Sequence, residues 1–153
     1  MALRPDRNEV VTDISFFMDE VAERGIVVVQ STQGSGAAMD DSTAAVKIGA
    51  IGAVATDDPV GILLNDVVNL DLTRQHLNYA KDEVQKGSKV AALRVGTIVT
   101  DQISGAITQG DPAHFMGAGQ LCSATANSTS QVIGRWLSKK DADGYAKVAI
   151  NIV

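Results

Sequence analysis

The chain has 153 residues, of which 45% are apolar but only 4% aromatic, and it carries a formal net charge of −5 with a pI near 4.8. This length suits one domain, whose core must be built from small and β-branched side chains. The acidic balance argues against a nucleic-acid surface, and no apolar run approaches the roughly 20 residues of a membrane helix. The single cysteine, Cys122, excludes an internal disulfide. Because the polar start also fits no secretory signal, we expect a reducing compartment.

The first dozen residues combine Pro5 with charges of both signs and have no sustained apolar period. This composition favours a segment that becomes ordered only against another surface. We therefore predict an N-terminal arm over residues 1–12 and one β-rich domain over residues 13–153.

The next segment fits two structures. Ile14, Phe17, Met18 and Val21 recur at helical spacing, with Gly25 placed to end a helix. Alternating apolar positions from Val10 onward also fit an extended strand, and periodicity alone does not decide between them.

From Gly25 onward, short apolar runs alternate with turns, as in an all-β domain. We predict strands over Ile26–Ser31, Ala45–Val54, Val60–Leu64, Lys89–Leu93 and Gly96–Thr100, with an irregular excursion over Asp71–Gly87. The expected fold is mainly β: a small, single barrel-like or sandwich-like domain with an extended N-terminal arm and at most one or two short helices.

The clearest element is a C-terminal hairpin, in which an apolar run ending at Trp136-Leu137 precedes a polar connection and the strand Tyr145–Ile152. Val148, Ile150 and Ile152 share one face of that strand, which is the pattern of a sheet with one buried side. Asp143-Gly144 supplies a turn residue that can adopt positive φ.

Two glycine-containing motifs resemble ligand loops only in part. Gly34-Ser35-Gly36 could approach an anion closely, but it lacks the Lys-Ser/Thr that follows in a phosphate loop. Asp141-Ala142-Asp143-Gly144 resembles part of a calcium loop but lacks the terminal glutamate, because Ile152 stands there. We interpret both as turns and predict no metal site and no cofactor.

The candidates for nucleophilic catalysis are Cys122 or Ser123 together with His76 or His114. No nucleophile motif surrounds them, and Cys122 lies in a run of small residues typical of a buried strand. The adjacent acids Asp40-Asp41, Asp57-Asp58 and Asp82-Glu83 are interpreted as solvated loop residues. We therefore predict that the protein is not an enzyme.

Several segments together resemble the head decoration, or capsid cement, proteins of tailed bacteriophages. The segments that carry the resemblance are Ser31-Thr32 with Gly34–Ala38, Pro59–Val68, Lys81–Gly87 before the Lys89-Val90 strand, Gly110–Ala113, and Ile133–Arg135 ahead of the Asp143-Gly144 hairpin and its Lys147-Val148 strand. The resemblance spans about Asp13 to the C-terminus.

This resemblance implies a structural virion protein that binds the outer surface of the phage capsid and stabilises the expanded head. The implied partners are the major capsid protein and further copies of the chain, commonly as a trimer, with no nucleic acid and no membrane. Assembly is expected in the host cytoplasm, and the N-terminal arm is expected to pair with capsid strands. The alternatives are a tail-tube or head-fibre module and, from another class, a small Cys/Ser hydrolase.

Candidate interface residues come from the arm and from the scarce aromatic residues. Phe16, Phe17 and Trp136 are three of only six aromatics; such residues usually fill a core, although subunit interfaces also favour them. The full set of capsid-contact or subunit-contact candidates is Leu3, Arg4, Arg7, Val10, Phe16, Phe17 and Trp136.

Overall fold

The computed structural model describes residues 3–4, 6–31, 45–49, 58–68, 83–124 and 131–152. Within these ranges the only helix is the short 3-10 turn Gly117–Gly119, and the regular structure is otherwise β, as predicted. The strands are Asn8–Asp13 (β1), Phe17–Met18 (β2), Ala22–Glu23 (β3), Val27–Gln30 (β4), Ala45–Ile48 (β5), Pro59–Val68 (β6), Glu83–Val84 (β7), Lys89–Thr100 (β8), Pro112–Phe115 (β9), Leu121–Ser123 (β10), Gly134–Trp136 (β11) and Ala146–Asn151 (β12).

A closed ring of strands forms one half of the domain. β8 pairs with β2, β2 with β5, β5 with β4, β4 with β6, and β6 returns to β8. All of these pairs are antiparallel except β2–β5. The ring is therefore a small barrel, which protects the edges of its strands by closure.

The second half is a sheet that continues from the upper part of β8. β12 pairs with β8 from Ala146↔Thr100 to Asn151↔Val95, and β11, β9 and β10 follow outward. β8 therefore belongs to both halves and joins them.

Two hydrophobic clusters explain why the central strands are apolar throughout. Every strand of the ring contributes to an inner cluster that includes Met18, Val28, Val46, Leu63, Val90 and Ala92. The alternate residues of β4, β6 and β8 face a larger cluster shared with the second sheet, which includes Val27, Val29, Ile62, Leu64, Leu93, Trp136, Val148 and Ile150. Strands buried on both faces lose the polar alternation of a half-buried strand.

The structure corrects the prediction of two strands over residues 89–100, because β8 runs through Gly96 without a break. A glycine in a strand commonly marks a close approach of backbone, and this one does so here. A Cβ atom on Gly96 would overlap the carbonyl oxygen of Asn8 on the neighbouring β1. Gly96 therefore allows β1 to pair closely with β8 and does not mark a turn.

The segment predicted as either helix or strand is extended. Phe17 and Met18 form β2, and the amide of Met18 donates to the carbonyl of Ser88 at 2.9 Å. The amide of Val90 donates to the carbonyl of Phe16 at 3.1 Å. Pairing with β8 and β5 thus outweighs the local helical period, and the helical alternative is wrong.

The C-terminal hairpin is confirmed. β11 and β12 are antiparallel with Trp136 opposite Val148. The residues of β12 alternate between buried and partly exposed, with Val148 and Ile150 inside. Gly144 has a φ of 87° in the connection, as the turn requires.

Candidate functional site

β1 differs from the other long strands because both of its faces are open. Residues 8–12 are all exposed, and Val10 and Val11 retain 65% and 47% of their accessible surface. Among the described strands, β1 pairs only with β8, with register shifts on either side of Val11. Main-chain hydrogen bonds therefore hold β1, and no other described strand pairs with its second edge.

The start of the chain is anchored to the domain. Leu3 is buried and forms an antiparallel bridge with Thr100, and the amide of Arg4 donates to the carbonyl of Val99 at 3.0 Å. This extends the line of pairing on β8 beyond β1. A buried leucine thus fixes one end of an otherwise exposed segment.

Arg4 adds an electrostatic contact to this anchor. Its Nη1 lies 3.3 Å from Oδ2 of Asp141 and its Nη2 lies 3.1 Å from Oδ2 of Asp143. The guanidinium carbon also lies 4.0 Å from the ring centroid of Tyr145. Since the planar guanidinium both pairs with carboxylates and stacks on an aromatic ring, one residue links the N-terminal segment to the hairpin.

This contact gives the hairpin connection a role that the sequence did not indicate. Oδ1 of Asp141 accepts hydrogen bonds from the amides of Asp143 at 3.0 Å and Tyr145 at 2.8 Å. The carboxylates therefore stabilise the turn and bind Arg4. Among the described residues, no group of three or more His, Cys, Asp or Glu side chains is placed to hold a metal ion.

Two further ion pairs lie at the start of β1. Arg7 Nε is 2.6 Å from Oε1 of Glu9, and Lys147 Nζ is 3.6 Å from Oδ2 of Asp6. Pairs this exposed contribute little to stability.

The structure thus changes the expectation for the arm. The described residues of the predicted arm are already ordered on β8 of their own chain, whereas we expected order only against another surface. Composition does not indicate such pairing, because it reflects apolar burial and β1 is held by its main chain. The division into an arm over residues 1–12 and a domain over residues 13–153 remains a prediction.

The candidate interface residues differ in how far they are exposed to solvent. Arg7 and Val10 are exposed, Arg4 is partly exposed, and Phe16 and Phe17 are partly buried. Leu3 and Trp136 are buried in the core of the protein, and Trp136 donates a hydrogen bond from Nε1 to the carbonyl of Cys122 at 3.4 Å. These two side chains are core residues of this structure, in line with the usual role of a large apolar residue.

Phe17 has a further contact, because Nζ of the buried Lys89 lies 4.5 Å from its ring centroid. A cation over an aromatic face is a favourable arrangement. Phe17 therefore has an intramolecular partner of its own.

Of the residues proposed for nucleophilic chemistry, the three that the structure describes, Cys122, Ser123 and His114, are buried. Cys122 lies opposite His114 on the β9–β10 pair, so the two side chains share a face. Burial raises the pKa of the Cys122 thiol to about 11. A nucleophilic cysteine needs the opposite shift, because the thiolate is the reactive form. His76, the Gly34-Ser35-Gly36 motif, the Asp40-Asp41 pair, Asp57 and Asp82 lie outside the described residues.

No helix in the described part of the chain has the length and apolarity to cross a membrane. A family model described as "Structural cement protein (E217 gp24/Pam3 gp6)" matches residues 7–151. The chain belongs to this family of phage structural cement proteins. A search of curated proteins finds no match.

The family match confirms the resemblance stated from the sequence. It identifies the chain as a structural phage protein that associates with the capsid and hence with the virion. A family of this kind also suggests a role without catalysis.

Proposed function

We propose that the protein binds the outer surface of the phage capsid and stabilises the expanded head. In this proposal the major capsid protein is the direct partner, and the protein acts as a homotrimer. It is assembled onto the head in the host cytoplasm and has no catalytic activity.

The open edge of β1 is the observation that carries the proposal. Natural proteins normally cover, shorten or charge an edge strand, because its free N–H and C=O groups recruit other strands. β1 carries the charged Glu9 and two register shifts, but it still presents Val10 and Val11 to solvent on a six-residue strand. An edge of this kind suits the addition of a partner strand through main-chain hydrogen bonds.

The anchors at the N-terminus make this edge ready for binding. Leu3 and Arg4 fix the start of the segment, and the pairing with β8 fixes the strand itself. A partner that pairs with an ordered strand loses less conformational entropy than one that must first order an arm. Leu3 and Arg4 therefore act by positioning β1, while Arg7 and Val10 contact the capsid.

Repetition supplies the remaining affinity. One strand-to-strand contact is modest, but three copies bound to neighbouring capsomers act through effective concentration. Such a trimer would hold capsomers together against the pressure of packaged DNA without any catalytic group.

Co-sedimentation with expanded, undecorated capsids tests the proposal. The wild-type protein should pellet with the capsids, whereas Val10→Asp should bind at least tenfold more weakly, because it places a charge in the strand contact. Val132→Asp is the matched control, since Val132 is 53% exposed and lies outside β1.

Two results would contradict the proposal. The first is the absence of wild-type protein from the pellet at every salt concentration; the second is equal loss of binding in both valine variants. Light scattering coupled to size-exclusion chromatography tests the trimer separately, and a polymer of unlimited length would favour a tail-tube module.

A further inference from the structure

A cleft of about 380 Å³ opens at one end of the barrel. It lies where β4 ends at Gln30, β6 begins at Pro59, and β8 leaves the ring at Arg94, and all three residues line it. The mouth of a β-barrel is one of the places where proteins commonly bind ligands. We call this cleft the barrel mouth.

Apolar side chains form part of the walls of the barrel mouth. Phe16 and Val60 line it and pack against the inner core of the ring, and Ile152 lines it from the end of the second sheet. Because Phe16 and Val60 rest on a packed core, they offer an apolar surface of fixed shape.

Among the described residues that line the barrel mouth, the charged ones are two aspartates and one arginine. Arg94 Nη1 lies 3.8 Å from Oδ2 of Asp13, so these two charges largely offset one another. Asp58 is exposed and lines the same cleft. The barrel mouth therefore has a net negative charge in a chain whose total charge is −5.

The barrel mouth adjoins the end of β1. β1 ends at Asp13, which is itself a lining residue. An extended segment that pairs along β1 would reach the cleft at the end of the strand. The edge and the mouth thus form one docking surface.

We propose that the barrel mouth receives a lysine or arginine side chain from an extended capsid segment that pairs along β1. The aliphatic stem of such a side chain would lie against Phe16 and Val60 while its cationic head faces Asp58. A second copy of the chain is the alternative occupant, which the test below separates from a capsid segment. The identity of the partner rests on the proposed function.

Equilibrium binding to expanded, undecorated capsids over a range of salt concentrations tests the assignment. Asp58→Asn should weaken binding about three- to tenfold, and Asp58→Lys should weaken it further, because each change removes attraction for the cation. The affinity of Asp58→Asn should also depend less steeply on salt than that of the wild type. Asp111→Asn and Asp111→Lys, which change a carboxylate outside the barrel mouth, are the matched controls.

The outcomes separate the two proposals. If the wild type does not bind capsids, the proposed function and this assignment both fail. If the wild type binds and the Asp58 variants match the Asp111 variants, only this assignment fails. If the Asp58 variants lose self-association but keep capsid binding, the occupant is a second copy and the assignment is overturned. Thermal unfolding shows whether each variant remains folded.

Discussion

The C-terminal hairpin and the N-terminal strand are held in opposite ways. β12 buries alternate residues, Val148 at 0% and Ile150 at 2% exposure, whereas residues 8–12 of β1 are exposed on both faces. The hairpin depends on packed side chains, and β1 depends on main-chain pairing with β8 and on anchors at its start. β12 is therefore held firmly in the fold by its buried side chains. β1, whose side chains are not buried, can present them to a partner.

The largest expected effect comes from removing the side chain at the centre of the hairpin core. Trp136→Ala should lower the free energy of unfolding by about 3 to 5 kcal/mol, because it leaves a large cavity in the shared cluster. Val10→Ala should change it by less than about 0.5 kcal/mol. Urea denaturation measures both values, and similar losses in the two variants would erase the distinction between the regions.

If Trp136→Ala does not fold, Trp136→Phe provides the same test with a smaller cavity. Its loss should still exceed that of Val10→Ala.

A smaller effect should follow from blocking the approach of β1 to β8. Gly96→Ala places a methyl group against the Asn8 carbonyl, so β1 must shift, at a cost of about 1 to 3 kcal/mol. Hydrogen exchange should show faster exchange over residues 8–13 than in the wild type. Gly117→Ala is the control, because a Cβ there meets no atom within 4 Å. Unchanged exchange over β1 in Gly96→Ala would contradict the contact.

The Arg4 anchor should contribute about 1 kcal/mol at low ionic strength, through its partly exposed ion pairs and the Tyr145 ring. Arg4→Ala should therefore lose about that much stability and speed exchange over residues 3–13. Arg135→Ala, at an exposed position of β11, is the matched control.

Because salt screens exposed charges, the difference between Arg4→Ala and the wild type should shrink in about 0.5 M NaCl. A difference that does not respond to salt would assign the effect of Arg4 to packing alone.

The smallest expected effect near neutral pH is the pH dependence of stability that comes from Cys122, whose thiol is buried in the core next to the hairpin. The folded protein holds the thiol proton more tightly than the unfolded chain, because burial raises the pKa from 9.0 to about 11. This contribution to stability is complete below pH 9 and is lost as the pH rises toward 11. The difference in unfolding free energy between wild type and Cys122→Ala should therefore be flat from pH 7 to 9 and fall above pH 9. A difference that increases above pH 9 would show that the pKa is lowered in the fold.

The same contrast explains what the sequence predicted well. Burial on one face leaves a period of two, and the Val148-Ile150-Ile152 alternation therefore located β12 and its face. Apolar runs such as Val27–Val29 predicted strands. They did not predict burial on both faces, because a continuous apolar run does not indicate how many cores the strand faces.

Contacts made by the main chain were not predictable in the same way. Asn8–Asp13 has no alternation of burial to read, because the pairing with β8 involves no particular side chain. Arg4 and Asp143 are separated by 139 positions, and nothing in a single sequence indicates that they form a contact. The predicted break between Leu93 and Gly96 was wrong, since the sequence does not distinguish a glycine that begins a strand from one inside a strand that lies close to a neighbouring backbone.

Hydrogen exchange of β1 in the free and capsid-bound protein tests the central claim most directly. The amides of residues 8–13 that exchange readily in the free protein should become protected on expanded capsids, while protection within the hairpin stays the same. Binding to capsids without any added protection of β1 would contradict the claim that this strand is the contact surface.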